Sequence, residues 1–316
     1  MSVIAIYNMK GGVGKTTTAV NLSYLAAASG LRTLLWDLDP QAASSFAFRI
    51  RARVSGFSRE SLRNGDALVE AIKETDYANL DLLPADFTYR KLDRLLDDFE
   101  RPERIVAALL RTLGQEYDTV LLDCPAGFSL LTEGLFAAAD AVLVPTIPTI
   151  LSLRMVARLV KWADRSDSPA ALVAFLSMVD RRKGLHRRAA ECCADHREIF
   201  LEGEVPYASV VEEMTVRRLP LPAFAPRDPA TRAFGDIWSQ LQTLLLERRA
   251  PSRSPRRWRL VLEAIESLIA RLEPTDAEWH PPQGSAPTDE DSRDDGAPTL
   301  GREDRRSPAI PSQGPS

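Results

Sequence analysis

The sequence predicts an α/β fold: an open, doubly wound, mostly parallel sheet with helices on both faces, followed by one C-terminal helix and a disordered tail. Three observations lead there. Short apolar runs alternate regularly with stretches of helical periodicity. The strand candidates are hydrophobic on both faces, as a sheet covered on each side requires. The 316 residues, 45% of them hydrophobic, are enough for one large α/β domain with a substantial core.

In chain order, strands are expected at Val3–Asn8, Thr33–Asp37, Leu80–Pro84, Thr119–Asp123, Ala141–Pro145 and Leu172–Ser177. Helices are expected at Lys15–Ser29, Asp66–Lys73, Pro102–Leu113, Ser129–Ala138, Leu151–Asp164, Leu185–His196 and Pro229–Glu247. The texture changes near residue 248. Arg248–Arg259 carries six arginines, two prolines and two serines, so residues 249–255 read as a linker. A helix is expected at 256–272, where Trp258, Val261, Leu262, Ile265, Leu268, Ile269 and Leu272 form one apolar face. Residues 273–316 have ten acidic residues, four arginines and almost no large apolar side chains. Such a composition cannot offset its ordering entropy and predicts disorder. The tail's net charge of −6, within a total of −4, leaves about +2 on residues 1–272. The acidic total therefore does not argue against an anionic partner for the folded part.

Three cysteines at 124, 192 and 193 lack the spacing of a zinc site or a disulfide framework and suit a reducing cytosol. The N-terminus has no basic signal-peptide region, and no run approaches the roughly 20 apolar residues of a membrane span. A cytoplasmic protein is expected.

The chemistry is concentrated after the first strand. Val3–Asn8 runs into Met9-Lys10-Gly11-Gly12-Val13-Gly14-Lys15-Thr16-Thr17, and a helix follows at once. A strand, a glycine-rich loop and a helix N-terminus surround one anion with backbone N–H groups. Glycine lets the backbone turn sharply and approach phosphates without a Cβ in the way. In this spacing Lys15 reaches the β- and γ-phosphate oxygens and the Thr16 hydroxyl serves Mg²⁺. Two acidic strand ends accompany the loop. Leu35-Trp36-Asp37-Leu38-Asp39-Pro40-Gln41 ends one strand, with Asp37 and Asp39 alternating to the same side. Val120-Leu121-Leu122-Asp123-Cys124-Pro125 ends another, in a Walker B pattern.

Met9 stands where the usual Walker A loop has glycine, and a second lysine, Lys10, begins the loop. In this the sequence resembles the ParA/MinD family of ATPases. The resemblance covers about residues 1–248 and includes the DxDPQ element Asp37–Gln41, Pro145–Thr149, Ser177–Arg182 and Val205-Pro206. It implies ATP and Mg²⁺ as ligands, and a homodimer in which Lys10 crosses to the partner's phosphates. It gives Asp39 the positioning of the attacking water. Asp37 and Asp123 fall to the Mg²⁺ shell, and Met178 and Pro206 to the adenine.

The resemblance further implies ATP-dependent, sequence-independent DNA binding, nucleoid association, cargo positioning and a partner that stimulates hydrolysis. Candidate phosphate contacts are Arg181, Arg182, Arg187, Arg188, Arg217 and Arg218, with Lys183, Arg227 and Arg232 nearby in sequence. The chain departs from the better-known relatives after Val205-Pro206. It has Tyr207-Ala208-Ser209 where those carry arginines, which points to an orphan or cargo-positioning branch. Two rival readings share the loop. A MinD-like switch would bind membrane through the basic amphipathic helix at 256–272, against which Glu263, Glu266 and the acidic tail argue. A carrier resembling the nitrogenase iron protein would need bridging cysteines. Cys124 follows Asp123 directly, and the adjacent Cys192 and Cys193 project about 100° apart on a helix.

Overall fold

Every residue of Thr33–Asp37 and Thr119–Asp123 is buried, because these strands lie mid-sheet with helices on both faces. The computed structural model describes residues 1–51, 66–85, 94–165, 170–248 and 257–272. Its strands are β1 (Ser2–Ile6), β2 (Thr33–Asp37), β3 (Lys73–Glu74), β4 (Leu80–Leu83), β5 (Thr119–Asp123), β6 (Ala141–Thr146), β7 (Ala171–Val179) and β8 (Phe200–Pro206). They form one sheet in the order β3-β4-β2-β5-β1-β6-β7-β8. All pairings are parallel except the short β3–β4 ladder. The strand order reverses direction around β1, the crevice at which doubly wound sheets bind ligands.

The helices are α1 (Lys15–Ala28), α2 (Ala43–Ala47), α3 (Asp66–Ala71), α4 (Pro102–Leu113), α5 (Leu130–Ala138), α6 (Ile150–Arg165), α7 (Gly184–Ala194), α8 (Ser209–Arg217), α9 (Leu221–Phe224), α10 (Pro229–Arg248) and α11 (Arg257–Leu272). Two cores sit on opposite faces of the sheet. One joins α1 to α10 through Val20, Leu22, Phe234, Ile237, Trp238 and Leu241. The other gathers α4, α5, α6, α7 and α11 around Leu110, Leu135, Phe136, Leu153 and Val160.

The expected strands and helices are present, Thr33–Asp37, Thr119–Asp123 and Pro102–Leu113 with the expected bounds and the others with bounds shifted by one or two residues. Strand β1 stops at Ile6 because Tyr7 and Asn8 already turn toward the glycine loop. Strand β8 was not expected from sequence. Glu202, Gly203 and Glu204 dilute its apolar signal, and as an edge strand it is only partly buried. Helices α2, α8 and α9 were also not expected, being short or weakly patterned. The Arg/Pro-rich linker and the acidic tail lie outside the described residues.

Helix α11 packs on the domain. Ile265, Leu268, Ile269 and Leu272 are buried in the same core as α6 and α7, and Glu266 pairs with Lys161 of α6 at 2.9 Å. Arg271 reaches Asp195, the residue after α7, at 3.4 Å. This part of the helix's apolar face is therefore covered by protein. Truncating Leu268 to alanine should cost about 2–5 kcal/mol in urea unfolding. A change below about 0.5 kcal/mol would mean the face is not packed. No described helix is long and apolar enough to cross a membrane.

Candidate functional site

Parallel strands place all their C-terminal ends on one edge of the sheet, and the phosphate loop opens there. Asn8, fully buried, fixes its start. Its Nδ2 donates to the Pro145 carbonyl at 2.8 Å and its Oδ1 accepts from the Lys10 amide at 2.9 Å. Val13 is buried and anchors the middle of the loop. Gly14 precedes α1 with φ +94°, and a Cβ there would stand 3.0 Å from the Ser177 hydroxyl. Only glycine accommodates both conditions. Around Gly11 and Gly12 a Cβ would meet nothing within 4 Å, so that side of the loop is open. The first amides of α1 point into this space, and the first turn carries no acidic side chain to occupy them.

Lys15 is buried and Lys10 exposed. Lys15 Nζ lies 3.4 Å from the Lys10 carbonyl. Burial lowers the Lys15 pKa, while the carboxylates of Asp123 and Asp39 oppose that shift and favour the ammonium. A buried cation inside a ring of glycine amides is arranged to meet an anion.

The carboxylates come next. Asp37 and Asp123 are direct register partners on β2 and β5, and both are fully buried. Their partners are two consecutive serines at the start of α2. Ser44 Oγ donates to Asp123 Oδ2 at 2.7 Å. Ser45 donates to Asp37 Oδ2 from its hydroxyl and from its amide, each at 2.7 Å. Burial pushes the Asp37 carboxyl up, and the Ser45 hydrogen bonds hold it back. Burial and then the Asp37 charge push Asp123 up, against the hydroxyls of Ser44 and the neighbouring Thr16. Asp123 Oδ1 is buried and makes no hydrogen bond among the described residues. An orphaned carboxylate oxygen beside a second carboxylate and a threonine hydroxyl suits a hard divalent cation. Mg²⁺ is held by one or two carboxylates together with phosphates and waters, so the residues fit it. Asp39 is half-buried further along the same loop, and its Oδ1 accepts from the Gln41 amide at 2.9 Å.

Met178 and Pro206 come together at the ends of β7 and β8, where Val179 is the register partner of Pro206. Met178 takes φ +56°, a strained value for methionine, directly after Ser177, which touches the Gly14 site.

The arginines divide into two groups. Arg181, Arg182, Arg187 and Arg188 are exposed at the turn before α7 and on its first turns. Arg182 makes a two-pronged pair with Asp180 at 2.8 and 2.9 Å, and Arg181 pairs with Glu204 at 2.8 Å. Arg187 donates to the carbonyls of Arg181 and Arg182. His186 Nδ1 accepts the Asp180 amide at 3.0 Å and steadies the turn. Arg217 and Arg218 lie at the end of α8. Arg217 pairs with Glu213 at 2.9 Å, while Arg218 lies 4.2 Å from the Phe46 ring centre and donates to the Phe46 carbonyl.

All three cysteines are free and buried, Cys124 behind Asp123 and the other two against the α7 core. Among the described residues no group of three or more His, Cys, Asp or Glu converges. Ser44, Ser45 and Asn8 were missed by sequence reasoning. The serine pair five and six residues beyond Asp39 was the available signal, as small hydroxyl residues close to a strand end can hold its carboxylates.

A family model described as an AAA domain matches residues 1–168. The chromosome partitioning protein ParA of Caulobacter vibrioides is 35% identical over 233 residues, covering 71% of this chain and 85% of that relative. The Myxococcus xanthus ParA is 40% identical over 146 residues, a match that spans 45% of this chain and 51% of that protein. In fold the chain is similar to the Pyrococcus furiosus cell division ATPase MinD, with TM-score 0.62 and 25% identity, covering 77% of this chain and 99% of that one. It is similar also to cobyrinic acid a,c-diamide synthase of Mycobacterium smegmatis with bound ATP analog and magnesium. That match has TM-score 0.64 and 25% identity, with 77% and 94% covered.

Sheet order, glycine loop and acidic strand ends together define a P-loop nucleotide hydrolase. Within that class, the chain belongs to the ParA/MinD family of ATPases.

Proposed function

We propose that the chain is an ATP-driven switch: it binds ATP and Mg²⁺ at residues 10–17, dimerises, holds DNA without sequence preference, and positions a cargo. The observation that carries this reading is the convergence of Lys15, Thr16, Asp37 and Asp123 beneath a loop that begins with an exposed second lysine. In it the amides of Gly11–Thr17 and the Lys15 ammonium grip the phosphates. Thr16, Asp37 and Asp123 hold Mg²⁺, which supplies charge neutralisation at the phosphates when bound. Asp39 orients the attacking water, and Lys10 of one protomer faces the phosphates held by the other, where negative charge grows during transfer. Met178 and Pro206 border the adenine. The relatives named as chromosome partitioning proteins support cargo positioning; a further protein that stimulates hydrolysis belongs to the same proposal.

For DNA, Arg181, Arg182, Arg187 and Arg188 form the better-supported group. All four side chains are exposed on one turn and the start of the helix that follows it, and of their hydrogen bonds two sets are ion pairs, Arg181 to Glu204 and Arg182 to Asp180, which phosphates would have to replace. Arg217 and Arg218 supply a second edge. Burial of Ile265, Leu268, Ile269 and Leu272 on α11 argues against the membrane reading.

Binding to random-sequence duplex should require ATP, and log K should fall with log salt at a slope of about −0.9 per phosphate contact. Replacing Arg182 or Arg188 with alanine should flatten that slope by about 1 each. ATP-independent or salt-insensitive binding would overturn the DNA assignment.

A further inference from the structure

The segment between Asp123 and α5 is exposed at Ala126, Gly127 and Phe128, yet it is rooted in a fully buried Asp123. Two fastenings tie it to the body. The Tyr7 hydroxyl donates to the Gly127 carbonyl at 2.8 Å, across 120 residues of sequence. Tyr7 is itself fully buried and stands two residues before Met9, where the phosphate loop begins. Gly127 takes φ +100°, which turns its carbonyl to the hydroxyl and throws the next side chain the other way. That side chain, Phe128, meets the edge of Trp162 on α6 with ring centres 5.1 Å apart. Phe136 closes the set, 4.8 Å from Tyr7 and 5.2 Å from Trp162. Four aromatic rings thus connect the strand that feeds the phosphate loop to the loop that leaves Asp123.

From this geometry we infer that Tyr7 is a positioning residue for hydrolysis, acting through Gly127, with Phe128 on Trp162 as the second fastening of the same loop. The inference rests on the ATPase reading above. Ordering an exposed loop costs backbone entropy, and two fixed points remove that cost before nucleotide arrives. The Tyr7 hydroxyl bonds Gly127 and its ring meets Phe136, and it makes no hydrogen bond to Lys15, Thr16, Asp37 or Asp123, so its effect is expected on the geometry reached after binding and not on binding itself. Because Gly127 is exposed, water can satisfy its carbonyl if the hydroxyl is removed, so the fold tolerates the loss.

The test is Tyr7→Phe, which deletes one oxygen and leaves the ring against Phe136. Turnover at saturating ATP should fall about tenfold, while KM for ATP stays within about twofold. Phe128→Ala should give the same split. The double variant should be no slower than the slower single one, because both fastenings serve one loop. Wild-type turnover in Tyr7→Phe, or a lowered thermal midpoint with unchanged turnover per folded molecule, overturns the inference while Lys15-dependent hydrolysis by the wild type keeps the ATPase reading. Wild-type protein with no Lys15-dependent turnover overturns both.

Discussion

Lys15→Ala should lose ATP binding altogether at ordinary nucleotide concentrations, with affinity falling about 100-fold or more in a fluorescent-nucleotide titration. The size follows from the proposed contacts. Hydrogen bonds to charged partners contribute about 1.5–3 kcal/mol each, and two of them amount to two or more decades. The structure adds a second reason. Lys15 is buried among Asp123, Asp39 and the amides of its own loop, and burial already disfavours its charge. Removing it leaves Asp123, whose Oδ1 has no hydrogen-bond partner among the described residues, facing incoming phosphate without a compensating cation. Lys15→Arg should also bind poorly, because a planar five-donor fork does not replace a compact ammonium within a closed loop. Retention of affinity within threefold of wild type would show that the phosphates sit elsewhere.

Lys10→Ala should behave in the opposite way: ATP binds within about threefold of wild type, and steady-state phosphate release falls by about 10³. Lys10 is exposed, and its hydrogen bonds are made by its backbone, the amide to Asn8 and the carbonyl to Lys15, so the side chain is not needed to shape the loop. Its proposed work lies across a dimer interface, where a cation beside the transferring phosphoryl group stabilises charge that the bound ground state lacks. The separation of binding from turnover identifies a residue acting in the transition state. Equal turnover in wild type and Lys10→Ala would remove the trans role.

Much of this site was legible in the sequence, because its parts are strand ends. An apolar run that stops at Asp37 or Asp123 fixes both the strand and the edge of the sheet where the carboxylate falls, and parallel pairing brings those edges together. The lysines were legible because glycine spacing allows few other backbones. What escaped was whatever depends on contacts across the sequence. Ser44 and Ser45 lie on a five-residue helix with no periodicity to announce it, and their role exists only because Asp37 and Asp123 are register partners. The Tyr7–Gly127 hydrogen bond spans 120 residues and has no local signature. Arg217 and Arg218 read as a basic pair, but Arg218 spends its guanidinium on Phe46, which no charge count reveals. Helix α11 shows the same limit. Its apolar stripe was evident, while the surface it covers was decided by Lys161 and the α6 core.

The central claim is that nucleotide state governs association between two copies through a loop with two lysines. Molar mass measured by light scattering, with Mg²⁺ and either a non-hydrolysable ATP analogue or ADP, tests it most directly. A dimer with the analogue and a monomer with ADP is the predicted result, with Lys10→Ala shifted toward monomer in the analogue. A monomer under both conditions at tens of micromolar protein, with nucleotide demonstrably bound, would contradict it.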